Sequence, residues 1–166
     1  MDTSINNHPK TGDQDKAGYE LLMLDNQLCF SLYVCSKEII KKYKNLLDPF
    51  GLTYTGYIIL MALWEKDDVT VKELGKRLYL DSGTLTPMLK KLETLKYIKR
   101  IRSSSDERNV YIQLTDQGRD LKMKALDIPK SMICNLDLDP KYAGVLLDSL
   151  HKMMKRLEET EDPSID

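Results

Sequence analysis

The cysteines are the side chains of this chain best suited to chemistry: Cys29, Cys35 and Cys134. Their irregular spacing fits neither a zinc site nor a disulfide framework. Cys29 lies in LDNQLCFSLY, with Tyr33 four residues on. In a helix that is one turn, so the phenol can donate a hydrogen bond to a thiolate and lower its pKa. A thiolate attacks a peroxide and becomes a sulfenic acid, which must then be trapped. The plainer alternative is a buried, inert thiol, since free cysteine is among the most buried residue types. Cys35 follows six residues later, on another helix face and about 9 Å further along the axis, too far to bond Cys29 directly. It reads as a core residue. His8 and His151 have no neighbours at metal-ligand spacing and read as solvated. Ser-His-Asp, paired-carboxylate and glycine-rich phosphate-loop patterns have no support in the sequence. No enzyme activity, metal or cofactor is expected.

A second polar group shares one helix face. Over Asp81–Leu95, DSGTLTPMLKKLETL, the residues Leu85, Met88, Leu89, Leu92 and Leu95 recur at three- and four-residue spacing and predict a buried stripe. Ser82, Thr84, Thr86, Lys90 and Lys91 occupy the opposite face. Hydroxyls near a helix N-terminus, followed by lysines, suit phosphate oxygens and base edges; an ordinary solvated face is the alternative. Asp81 or Ser82 can cap the start. Pro87 allows a later start, with Thr86 as cap and Pro87 at the first helical position. The earlier start is preferred, at the cost of one bond to Gly83.

The flanking segments give that helix a context. Thr70–Leu78 reads as a short helix opened by a Thr70/Glu73 capping box, with Val71, Leu74 and Leu78 inward. About three residues separate it from the next helix, as in a helix-turn-helix. Tyr97–Leu114 then changes character. Ile98–Arg102 mixes apolar and basic residues, Val110–Leu114 alternates in period two, and the polar SSSDERN lies between. That predicts a hairpin with a long charged tip. The expected fold class is mainly α with a small β wing, a winged helix-turn-helix. Such a fold puts a helix in the major groove of double-stranded DNA and a wing beside or in the minor groove.

YLDSGTLTPMLKKLE followed by RSSSDERNVYIQLTDQG resembles the MarR family of winged-helix regulators. Asp106 and Arg108 supply the D-x-R of the wing, and Ile112 to Thr115 the closing I-x-L-T. LDNQLCFSLY at Leu24–Tyr33 and LTYTGYIILMALWE at Leu52–Glu65 are similar to the OhrR branch, which senses organic hydroperoxides. The resemblance runs from Leu24 to Leu157. It implies a homodimer whose first and last helices interleave, bound to a pseudo-palindromic operator. It implies that Cys29 is the peroxide-reacting thiol and that Tyr43 and Tyr54 hold it; Tyr33 joins them as a thiolate-stabilising candidate by its spacing alone. Cys134, in PKSMICNLD, matches by position a second cysteine that forms a disulfide with the reactive cysteine of the other subunit; capping of Cys29 by a small thiol is the alternative. Arg108 would reach the minor groove with Asp106 orienting it.

The remaining features fit one domain of 166 residues with 42% hydrophobic content. Net charge is −1, but Lys72–Arg108 holds ten basic and five acidic residues, which places the positive charge on the segment assigned to DNA. Residues 1–17 read as a disordered tail, 18–160 as a single MarR-like domain, and 161–166 as a frayed acidic end. Within the domain the winged helix-turn-helix takes about 53–115, and dimerisation helices take about 19–47 and 116–159. Leu28, Leu32, Cys35, Ile39, Tyr43 and Leu46 form the stripe of the first long helix, and Val145, Leu146, Ser149, Leu150, Met153 and Leu157 that of the last. This is more apolar surface than one small chain covers, which implies a second copy. Trp64 reads as core. Pro129 should kink or split the helix after Thr115, and Asp139-Pro140 should open the last one. With no apolar run of about 18 residues and no apolar region at the start, neither a membrane span nor a signal peptide is expected, and the cytoplasm follows by default.

The function expected is a repressor that releases its operator when organic hydroperoxide oxidises Cys29. A MarR-type repressor controlled by a small phenolic ligand is the alternative. A thiol peroxidase is a third reading, disfavoured because no C-x-x-C pattern supports turnover and a basic wing would serve no purpose in it.

Overall fold

The computed structural model describes residues 18–102 and 109–160. The elements run α1 (Leu28–Leu47), α2 (Tyr54–Glu65), β1 (Val69–Thr70), α3 (Val71–Leu78), α4 (Ser82–Thr94), β2 (Ile98–Arg102), β3 (Val110–Leu114), α5 (Asp116–Lys124), α6 (Asp127–Leu136) and α7 (Pro140–Thr160). The chain divides into two compact units, Met1–Lys41 and Lys42–Asp166.

In the first unit no described residue is buried. The long helix expected from Tyr19 begins instead at Leu28, after a 3-10 turn at Leu24–Asn26. Asn26 donates its side-chain amide to the Glu20 carbonyl at 2.8 Å, and Gln27 donates its own to the Leu21 carbonyl. These side chains take acceptors that a continuous helix would have used. Cys35, read as core, is exposed.

The second unit holds the core. Leu47, Tyr57, Ile59, Leu60 and Leu63 pack with Leu74, Leu85, Leu89, Leu92, Ile98, Ile112 and Leu121. The sheet has the order β1-β3-β2, antiparallel throughout. Its register places Val69 and Arg100 against Ile112 and Ile98 against Leu114. Directly paired residues share a face, so Ile98, Arg100 and Ile112 point to one side. Thr53 caps α2 by accepting from the Gly56 N–H. Trp64 is half-buried rather than buried, and its indole N–H donates to the Gly118 carbonyl at 2.9 Å.

Two proline expectations hold. The helix after Thr115 splits into α5 and α6 at Ala125–Leu126. The ring of Pro129 obstructs the carbonyl four residues earlier, that of Ala125, and removes an N–H. α7 opens at Pro140, where Asp139 accepts from the Lys141 N–H at 2.7 Å and the Tyr142 N–H at 3.3 Å. No residue of α7 is buried. Among the described residues, no single helix is long and apolar enough to cross a membrane.

Candidate nucleic-acid interface and thiol residues

α3 and α4 form the expected helix-turn-helix. The Thr70 hydroxyl accepts from the Glu73 N–H and Glu73 accepts from the Thr70 N–H, closing the capping box. The Thr70 N–H first, and second the Thr70 hydroxyl, which also donates to the Glu73 carboxylate at 2.8 Å, hold the Glu73 carboxyl below its usual pKa. α3 ends at Tyr79, which takes the left-handed conformation at φ 55°. The Leu80 N–H then returns to the Gly75 carbonyl at 3.0 Å. A side chain at Gly75 would meet the Leu80 carbonyl at 2.8 Å, so this turn needs glycine there.

α4 takes the earlier of the two starts. Asp81 is its cap, accepting from the Thr84 N–H at 2.9 Å and from the Thr84 hydroxyl at 2.9 Å. The same two bonds lower the Asp81 pKa. Pro87 lies inside the helix, where it lacks the N–H that would bond to the Gly83 carbonyl and its ring crowds that carbonyl. Leu85, Leu89 and Leu92 are buried, with Met88 and Leu95 partly so. Ser82, Thr84, Thr86, Lys90 and Lys91 are all exposed on the outer face. Thr84 gives its proton to Asp81, and Thr86 gives its own to the Ser82 carbonyl at 2.7 Å. Both hydroxyls therefore present lone pairs and a methyl group, which suits a base amino group or a thymine methyl better than a phosphate. The donors on this face are Ser82 and the two lysines.

Beside this face a groove of about 310 Å³ runs between α3, α4 and the wing, lined by Lys72, Thr86, Arg100, Asn109 and Val110 among others. Lys72 and Arg100 extend the polar surface beyond the residues expected from sequence. Both fall in the basic stretch, and that charge excess was the signal available for them. Asp106 and Arg108 lie outside the described residues.

The thiol residues are distributed as follows. Cys29 and Tyr33 lie one turn apart near the start of α1, and both are exposed; Cys134 is exposed on α6. Tyr43 and Tyr54 are brought together, with ring centroids 4.8 Å apart, and Tyr57 extends the cluster at 6.0 Å from Tyr43. Burial, then the neighbouring Tyr54 and Tyr57, raises the Tyr43 pKa. Tyr43 therefore stays a protonated phenol, able to donate. Among the described residues no group of His, Cys, Asp or Glu could hold a metal ion.

Comparisons with known proteins agree with this architecture. SarZ of Staphylococcus epidermidis, an HTH-type transcriptional regulator, is 46% identical over 133 residues, covering 80% of this chain and 90% of SarZ. AbfR of Staphylococcus epidermidis is similar in structure, with a TM-score of 0.70 at 35% identity, covering 86% of this chain and 99% of AbfR. Reduced AbfR solved bound to DNA gives 0.71 at 36% identity. AbfR has also been solved overoxidised on DNA and in a disulfide-formed state. Reduced MarR from E. coli shares the fold, with a TM-score of 0.62 at 23% identity over 76% of this chain and 96% of that one. The model of the transcriptional regulator SarA/Rot family matches residues 37–125. With a winged helix-turn-helix built on α3, α4 and the β2–β3 wing, and a family match spanning that whole module, the chain belongs to the SarA/Rot family of transcriptional regulators.

Proposed function

We propose that this chain is a dimeric DNA-binding repressor of the OhrR type, which releases a pseudo-palindromic operator when organic hydroperoxide oxidises Cys29. The observation that carries the DNA half is α4: its leucines are buried, and Ser82, Thr84, Thr86, Lys90 and Lys91 all face outward. Arg108, oriented by Asp106, is assigned to the minor groove, where a narrow A·T tract concentrates negative potential. The cytoplasm is the compartment in which such a regulator meets its operator.

The redox half is supported by the exposure of Cys29 and Cys134 and by the likeness to AbfR. The Cys29 thiolate, assigned to the care of Tyr33, Tyr43 and Tyr54, attacks the terminal peroxide oxygen. The O–O bond breaks, an alcohol leaves, and sulfur carries the oxygen as a sulfenic acid. The Cys134 thiol of the other subunit then displaces that oxygen as water, forming a disulfide. Overoxidised AbfR was solved on DNA, which favours the disulfide over the added oxygen as the releasing step.

Gel shifts with cumene hydroperoxide, paired with intact mass under non-reducing conditions, test this. Wild-type protein should release DNA and run as a disulfide-linked dimer. Cys29→Ser should bind and ignore peroxide, while Cys134→Ser should gain oxygen yet stay bound. A Cys29→Ser protein that still leaves DNA on peroxide treatment overturns the redox reading. It would promote control by a small phenolic ligand.

A further inference from the structure

Asp67 and Arg119 belong to neither the DNA-facing surface nor the thiol residues, yet together they tie three parts of the second unit to one another. Asp67 lies in the turn between α2 and β1. Its Oδ1 accepts from the Asp68 N–H at 2.9 Å and from the Leu114 N–H at 2.8 Å. Its Oδ2 accepts from Nη2 of Arg119 at 2.6 Å. The other guanidinium nitrogen, Nη1, donates to the Leu114 carbonyl at 2.9 Å. Both peptide groups of Leu114, the buried last residue of β3, are thus held by one ion pair. The pair joins the α2–β1 turn, the root of the wing and the first turn of α5.

Such a junction contributes little to stability, because both side chains are partly exposed, 30% for Asp67 and 52% for Arg119. A guanidinium donating in two fixed directions supplies orientation instead. Other contacts anchor the backbone of the same turn. The Trp64 indole holds the Gly118 carbonyl, and Thr115 donates to the Lys96 carbonyl at 2.5 Å. Those bonds fix where α5 starts; beyond them, buried Leu121, the Lys122 bond to the Trp64 carbonyl and the Asp67–Arg119 pair bear on the direction in which it leaves. α6 and α7 follow directly from α5.

We propose that Asp67 and Arg119 are positioning residues that set the angle of α5 against the winged helix and thereby the half-site spacing that the dimer accepts on DNA. This rests on the dimeric DNA-binding reading above. A dimer reads half-sites about one helical turn apart. A tilt of about 10° acting over about 20 Å moves the far end by roughly 3.5 Å, about one base-pair step. An inserted pair also turns one half-site by about 35° about the duplex axis, so tolerance of it requires freedom of twist as well as tilt at this root.

The test uses the reduced full-length protein and a palindromic duplex that the wild type selects from a random library. A second duplex carries one base pair inserted at the dyad. The wild type should bind the second duplex about tenfold more weakly or worse, whereas Arg119→Gln, Asp67→Asn and the double variant should each discriminate by less than about threefold, without additivity. Melting temperatures should stay close to that of the wild type. Arg119→Lys keeps the charge but not the second donated bond. It should also lose discrimination, and it reports if the neutral variants fail to fold. Variants that keep the tenfold penalty overturn the positioning role alone. A wild type that selects no palindrome overturns the DNA-binding reading and this inference with it.

Discussion

Glu93, in the last turn of α4, accepts both the Nε of Arg100 at 2.8 Å and the Arg100 backbone N–H at 3.3 Å. Arg100 stands opposite Ile112, on the face of the sheet that carries the core. Its charge is therefore met by a carboxylate from the candidate recognition helix, and helix and wing are held as one piece. Glu93→Gln should cost on the order of 0.5–1 kcal/mol in urea unfolding, since the pair is about a third exposed. Its effect on DNA separates two causes. Removing a negative charge would by itself tighten binding, whereas loosening the wing should weaken it. Weaker binding at fixed salt is the expected result.

Gly118 leaves no space for a side chain. A Cβ there would sit 2.0 Å from the Tyr97 carbonyl oxygen, while the Gly118 carbonyl already holds Trp64. Backbone faces backbone, so nothing flexible can yield. Gly118→Ala should destabilise by about 3 kcal/mol or more, read by urea unfolding. Gly144, on α7, has nothing within 4 Å of the same hypothetical atom. Gly144→Ala should stabilise the helix by about 0.5–1 kcal/mol.

The cap of α4 makes its stability pH-dependent in a known direction. Hydrogen bonds from Thr84 hold the Asp81 pKa below its usual 3.8. A depressed carboxylate contributes its full stabilisation above the unfolded value and loses it as pH falls through the folded one. The melting difference between wild type and Asp81→Ala should therefore be constant near neutrality and shrink below about pH 4. Asp81→Asn keeps an acceptor without the charge, and its difference from Asp81→Ala should not follow this titration.

The sequence carried the features that depend on neighbours a few residues apart. Asp81 as cap, the Thr70/Glu73 box, the leucine stripe of α4, the split before Pro129 and the Asp139-Pro140 start all follow from local patterns, and each is present. The outward set on α4 was legible for the same reason. Contacts between distant residues were not. Asp67 and Arg119 are 52 residues apart, and no periodicity marks either one. The early break of α1 was hidden because Asn26 and Gln27 cap carbonyls behind them, while the apolar spacing from Tyr19 suggests an unbroken helix. Cys35 was placed in a core by residue type, although an apolar stripe does not say whether one chain or two will cover it.

α7 extends over twenty-one residues without burying one of them, and Val145 and Leu157, both on its apolar stripe, are each more than half exposed. A helix of that length has little to hold it in water without a packed face. Paired through that face, as proposed above, it is completed by mass action, and its order depends on how many subunits the cell contains. When subunits are scarce, the paired form scales with the square of their number. Halving synthesis then removes about three-quarters of the DNA-reading species, before any oxidant arrives.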